Sequence, residues 1–226
     1  MSILQALKDK KREDVSNFLK LFILVNEYGQ EILQDLLIFE ISKRGEKKPV
    51  SGFFGSHKQT LLDLTLKKGE SRTTLTTSDL KKIFKDRSIR MPCYRHMQQK
   101  CCCKFDVKDD IDLLIFDFDV SLMCCITLNC LPQLQKKIKG HINQLRDCRN
   151  KLGHPAEVKT DPYSFISQWE IAAEAIIGIS RHLGPWCALK ATIKIKKFKS
   201  SDYVEISEVR KNLKLKDFWK GASLYV

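Results

Sequence analysis

Apolar positions recur at helical spacing through most of this chain. Between Val15 and Ser42, the residues Phe18, Leu21, Phe22, Val25, Ile32, Leu33, Leu36, Leu37 and Phe39 follow one another at helical intervals. Such a pattern predicts a helix that is apolar over a wide arc, as in the centre of a bundle. Gly29 is placed to bend or split it, and "KRGEKKP" stops it with glycine, charge and proline. From Gly45 to Thr77 the chain is rich in Gly, Lys and Thr, with one apolar patch at Leu61 to Leu66; this reads as a long connection carrying a short helix. "TTSDLKKIFKD" opens another helix, with Thr77 or Ser78 as its N-cap.

"DVSLMCCITLNCLP" is apolar on nearly every side and suits a short buried helix capped by Asp119 or Ser121. Pro132 stands where a first helical turn tolerates it. In "PQLQKKIKGHINQLRDCRNKLGH" a buried stripe of Leu134, Ile138, Ile142, Leu145 and Leu152 is expected, with Lys136, Lys137 and Lys139 exposed. A last bundle helix starts at "TDPYS", capped by Thr160 or Asp161 with Pro162 in its first turn, and runs to about Leu183, where "LGPW" ends it. Beyond Pro185 the pattern changes. "ATIKIKKFK" alternates as a strand does, and residues 190–226 carry a net charge of +6. The expected architecture is all-α, a bundle of four to six helices over residues 10–186 followed by a basic C-terminal extension over 187–226.

Charge changes this picture most. The formal net charge of +13 attracts polyanions, RNA among them. The chain opens with charge before any apolar stretch builds up, so no secretory leader is expected, and no apolar run approaches the ~20 residues that span a bilayer. Nine cysteines, with Cys101-Cys102-Cys103 and Cys124-Cys125 adjacent, do not form an extracellular disulfide framework. Reduced thiols in a cytoplasmic or nuclear protein are expected, with Cys124, Cys125 and Cys130 as small core residues.

One stretch carries candidate chemistry: "RDCRNKLGHP", Arg146 to Pro155. Its structural reading is a well-made helix end. Gly153 takes the left-handed position past the terminus, Pro155 blocks continuation, and Arg146, Arg149 and Lys151 suit the negative end of the helix dipole. Its chemical reading is a phosphodiester site. Arg149 lies one turn from the helix end and His154 just beyond it, so the two side chains can converge. Arginine grips phosphate with a planar, permanently charged fork, and histidine moves a proton near neutral pH. Metal-free RNA cleavage asks for such a pair, a base for the 2′-hydroxyl and a cation for the charge on phosphorus.

Arg149, Asn150 and His154 in "RNKLGH" resemble the arginine–polar–histidine motif of the HEPN superfamily. "FLKLFILVNEYGQEILQDLLIFEI", "FDVSLMCCITLNC" and "INQLRDCRNKLGHP" resemble, in order, segments of the HEPN-like domain of the type found in the DAZ-interacting RING ubiquitin ligase, over roughly residues 14–184. The resemblance implies an antiparallel bundle that often dimerises. In catalytic members two motifs meet across the dimer to form one endoribonuclease site; other members only bind RNA or act as adaptors. Carried over here, it implies His154 as general base or acid, Arg149 as phosphate clamp and Asn150 as a positioning group. By their charge, Arg146, Lys151, Lys194, Lys196, Lys197 and Lys199 are expected as further RNA contacts. The alternative is a non-catalytic dimerisation or adaptor domain with protein partners, in ubiquitin-ligase or innate-immune signalling. No cofactor, metal or membrane partner is expected.

Other candidates are weaker. Cys93, His96 and Cys101 to Cys103 lack the spacing of a zinc finger. The acidic run Asp106, Asp109, Asp110, Asp112, Asp117 and Asp119 lacks the glycine and terminal glutamate of a calcium loop. His57, His96, His141 and His182 have no partner at telling spacing, and His141 reads as a solvated residue on the polar side of its helix. No phosphate-binding glycine loop and no G-x-S-x-G is present.

Overall fold

A computed structural model describes residues 3–43, 49–66, 75–85, 105–153 and 160–201, with side chains at 3–11, 49 and 66 left undescribed. His154, the Cys93–Cys103 cluster and residues 202–226 of the basic extension lie outside the described residues. The order is α1 (Ile3–Ile23), a π-helical turn (Leu24–Tyr28), α2 (Gly29–Ser42), α3 (Pro49–Ser56), α4 (Lys58–Leu66), α5 (Thr77–Ile83), α6 (Ile111–Leu114), a 3-10 turn (Ile115–Asp117), α7 (Val120–Cys130), α8 (Lys136–Gly153), α9 (Pro162–Leu183) and α10 (Pro185–Lys199). The described residues contain no strand, only an isolated bridge between Phe84 and Val107. The fold class is all-α, as the periodicity predicts.

Helices α1 and α2 form one long helix with a π turn at its middle. The Gly29 N–H donates to Leu24 O, five residues back, which is the π pattern. Gly29 is also where α8 comes closest. A Cβ there would stand 3.0 Å from one methyl of Leu145 and 3.1 Å from the other, so a larger residue would make Leu145 shift. The expected break at Gly29 is therefore a local change of helical winding, and the helix continues.

Side-chain contacts give the directions of the bundle. Gln133, just before α8, reaches Glu40 at the end of α2, while Leu145 meets Gly29, so α8 runs antiparallel to α2. Helix α9 starts beside α1, where Thr160 N–H donates to Asp14 O, and ends beside Glu40 through His182; it runs parallel to α1 and α2. The predicted stripe of α8 is buried throughout, Leu134, Ile138, Ile142, Leu145 and Leu152 being at most 5% exposed. Lys136 and Lys137 are exposed and Lys139 is half-buried. Cys124, Cys125 and Cys130 are buried free thiols in α7. Burial pushes the Cys125 thiol up to about 12 and raises that of Cys124 further, so both are inert filling.

The caps follow local chemistry. Thr76 caps α5 in a reciprocal box with Asp79, one position earlier than Thr77, because Asp79 must be the third helical residue. Asp119 caps α7 through Leu122 N–H at 2.9 Å. Asp161 caps α9 with Pro162 in the first turn. The connection after α2 carries two short helices, α3 and α4, packed on Phe53, Phe54, Leu61 and Leu64, where one was expected. Pro132 belongs to a turn before α8 rather than to its first helical turn.

Three further expectations need correction. "ATIKIKKFK" is helical: it forms α10, which packs on α9 and α2. Cys187, Ala191, Ile195 and Phe198 supply its inward side at helical spacing, and Phe198 lies 5.4 Å from the Tyr28 ring and 5.9 Å from that of Trp169. The alternation misled because Ile193, Ile195 and the intervening lysines put apolar residues on both sides of the helix. Gly153 does not take a left-handed conformation; it is the last residue of α8, and among the described residues only Gly184, at φ 139°, has positive φ. His141 is not solvated. It is buried between α8 and α9, its Nδ1 is 3.1 Å from Gln144 Oε1, and its Nε2 has no partner.

Candidate site at the end of helix α8

The last two turns of α8 bring Arg146, Arg149, Asn150 and Lys151 to one end of the bundle. Arg146 and Arg149 are three residues apart and share a side of the helix. That side faces the start of α7: both arginines act electrostatically on the Cys124 thiol, and Arg149 also acts on Asp119. Asn150 and Lys151 point to solvent.

Arg146 is the more enclosed of the two, its side chain 11% exposed. Its Nε is buried and has no hydrogen-bond acceptor. The neighbouring Asp147 carboxylate stands 3.8 Å away, beyond hydrogen-bond range. An orphaned guanidinium N–H is costly unless an acceptor reaches it. Arg149 is half-buried and folds along the final turn. Its Nη1 lies 3.2 Å from where a Gly153 Cβ would be, so Gly153 provides room for the guanidinium. That places positive charge over the carbonyl end of the helix, where the dipole favours it, one residue before His154 in the chain.

A carboxylate moderates this charge. Asp119 is held on one oxygen by Leu122 N–H, and its other oxygen lies 3.3 Å from Lys82 Nζ. Burial raises its pKa, but the Leu122 hydrogen bond, the Lys82 charge and the Arg149 charge outweigh it, so Asp119 sits below its ordinary value and stays ionised. Arg149 itself makes no ion pair within 4.0 Å among the described residues. The arrangement supplies two cationic forks one turn apart, partly balanced by one ionised carboxylate.

The remaining sequence candidates are dispersed. Lys194, on α10, is taken up internally: its ammonium pairs with Glu31 and lies 4.3 Å from the centre of the Tyr28 ring. Lys196, Lys197 and Lys199 are exposed on α10, which α9 separates from α8. No cluster of three or more metal-ligating side chains exists among the described residues, and none of their helices is long and apolar enough to cross a membrane.

Sequence spacing missed a second polar cluster, at the opposite end of the bundle. Glu40 is buried, accepts from Lys43 Nζ at 2.6 Å and lies 2.8 Å from His182 Nε2. Burial opposes its charge, yet the hydrogen bonds from Lys43 and His182, with that of Gln133, hold its pKa below the ordinary 4.5. Only a glutamate inside an otherwise apolar run of α2 could have pointed to it; Lys43 is near in sequence, but Gln133 and His182 lie 93 and 142 residues away. Comparison with family models, curated proteins and solved structures found no match for this chain.

Proposed function

We propose that this chain is an RNA-binding helical module of the HEPN type, with the end of α8 as its phosphate site. The observation that carries the reading is the pair Arg146 and Arg149: one has a buried Nε without an acceptor, and the other lies along the helix end without an ion pair among the described residues. A phosphate can accept from the Arg149 fork, with the more enclosed Arg146 adding positive charge beneath it. Arg149 is the clamp, Asn150 orients the sugar–phosphate, and Lys151 adds charge at the rim. Lys196, Lys197 and Lys199 add sequence-independent affinity, whereas Lys194 contributes little because Glu31 already holds it.

In its stronger form the proposal is a metal-independent endoribonuclease. His154 takes the proton of a 2′-hydroxyl, whose oxygen attacks the adjacent phosphorus; the 5′-oxygen of the next nucleotide leaves and is protonated, giving a 2′,3′-cyclic phosphate. Arg149 stabilises the charge on the phosphoryl oxygens as they become pentacoordinate. The test is labelled single-stranded RNA incubated with purified protein in chelator. Cleavage to cyclic-phosphate ends that His154→Ala abolishes supports the enzyme. Binding without cleavage leaves the binding module, and the absence of both removes the proposal.

The second reading, a non-catalytic dimerisation or adaptor domain, is favoured by a different observation. Trp186, Leu189 and Ile193 form an apolar stripe on the outside of α10, each about half exposed or more.

A further inference from the structure

Helix α10 has two apolar sides. The inward one, with Ala191, Ile195 and Phe198, is packed against the bundle. The outward one carries Trp186, Leu189 and Ile193, 64%, 48% and 57% exposed. Their spacing of three and then four residues makes one continuous stripe. Lysines border it: Lys190 lies 5.6 Å from the centre of the Trp186 ring, and Lys196 and Lys197 are exposed beyond Ile193. None of these three lysines forms an ion pair among the described residues.

A second surface has the opposite charge. Helix α6 and the 3-10 turn after it expose Leu113 and Phe116, 73% and 51%. Asp110, Asp112 and Asp117 surround them, also exposed. This segment is held firmly from below. Ile111, Ile115 and Phe118 are buried. The side-chain amide of Gln30 donates to Phe116 O at 2.8 Å, and that of Gln34 to the same oxygen at 2.9 Å. The exposed leucine and phenylalanine are therefore presented by a fixed turn, with little ordering cost on binding.

We infer that the basic, apolar face of α10 docks on the acidic, apolar α6 turn of a second copy of this chain. Charge complementarity selects this occupant: lysines border one apolar surface and aspartates the other, and like-charged partners would repel. The two surfaces cannot close on each other within one chain. Both are exposed in the same chain, and the α10 stripe lies on the side of its helix away from Ala191, Ile195 and Phe198, which pack inward. The contact inferred is heterologous, because the two surfaces differ, with each copy offering one to its predecessor and the other to its successor. Five exposed apolar side chains make a small contact, at the weak and reversible end of protein interfaces. It involves neither Arg146 nor Arg149 but shares Lys196 and Lys197 with the proposed RNA contacts, so it is tested on protein freed of RNA.

Sedimentation velocity of the full chain, freed of RNA, tests this. The weight-average sedimentation coefficient should rise steadily with concentration and pass the dimer value, because a head-to-tail contact does not close at two. Ile193→Asp and Phe116→Lys each remove one surface and should be monomeric alone. Mixed one to one, they should form a dimer and nothing larger, since one α10 face and one turn survive between them. Both residues are exposed, and an unchanged thermal transition would show that the variants fold. Arg149→Ala should associate as wild type does. A monomer at all concentrations, a self-limiting dimer that both variants retain, or a mixture that stays monomeric would overturn the inference.

Discussion

Helices α8 and α10 lie on either side of α9, and both are rich in lysine. They use their apolar residues in opposite ways. Helix α8 buries Ile138, Ile142, Leu145, Cys148 and Leu152 on one side and leaves only polar residues outside. Helix α10 fully buries Ile195 alone and leaves Trp186, Leu189 and Ile193 in solvent. A helix with a single apolar stripe spends it on the core. A helix with two has one to spare for association. The first is a structural element whose end positions the arginines; the second is an exposed surface fixed to the bundle by its other side.

Breaking α8 should therefore cost far more than breaking the outside of α10. Leu145→Ala removes a fully buried side chain from the close crossing at Gly29 and should cost about 4 kcal/mol in denaturant unfolding. Ile193→Ala should change stability by no more than about 0.5 kcal/mol. Equal costs would mean that the α10 stripe is part of the core.

The polar seal between α2 and α9 comes next. Glu40→Ala removes the acceptor shared by Lys43, His182 and Gln133 and should cost about 2 kcal/mol, most of it from buried polar groups left without a partner, since Lys43 is half exposed and stays hydrated. The pH dependence follows from the lowered pKa of Glu40. A carboxyl whose folded pKa lies below its unfolded value binds its proton first in the unfolded chain. Its contribution is full above 4.5 and is lost as pH falls below that value through the folded pKa. Thermal melts should show the wild-type advantage over Glu40→Gln shrinking on acidification; an advantage that grew would reverse the sign.

The α8–α9 contact can be sharpened at Gly178. A Cβ there would lie 2.4 Å from His141 Nε2. Gly178→Ala should destabilise by about 2 kcal/mol, the usual cost of overpacking. His141→Ala in the same chain should recover part of the loss, because the ring is what the new methyl meets. Full additivity of the two changes would place the strain elsewhere.

Asp119→Ala is a smaller loss again. It removes the cap of α7, worth about 1 kcal/mol. It also removes the carboxylate facing Arg149, so RNA affinity should rise while stability falls. Loss of affinity would show that Asp119 positions Arg149 rather than competing for it.

How far the sequence could be read depended on how many sides of each helix were apolar. The stripe of α8 was legible because one side was apolar, the run through α1 and α2 because its apolar arc kept helical spacing, and the caps at Asp119 and Asp161 because they were local. Helix α10 was not, because residues on two sides of a helix, written in line, imitate the alternation of a strand. His141 read as solvated because only Gly178, on another helix and without a side chain, makes room for it. At the site, Arg149 was legible as a helix-end arginine, but Gly153 was assigned to backbone geometry when its role is space for the guanidinium. The orphaned Nε of Arg146 and the proximity of Asp119 depend on how α7 lies against α8, which no local spacing encodes.

The central claim is that the end of α8 holds RNA phosphate through Arg149. Fluorescence anisotropy of a single-stranded RNA, titrated with wild type, Arg149→Lys and Arg149→Ala over a range of salt, tests it most directly. Wild type should bind with a steep salt dependence. Arg149→Ala should weaken binding and lower the slope by about 0.7, the share of one phosphate contact on a single strand. Arg149→Lys should keep the slope but lose affinity, because a point charge replaces a planar fork. Unchanged affinity and slope in Arg149→Ala, or a wild type that does not bind, would contradict the account.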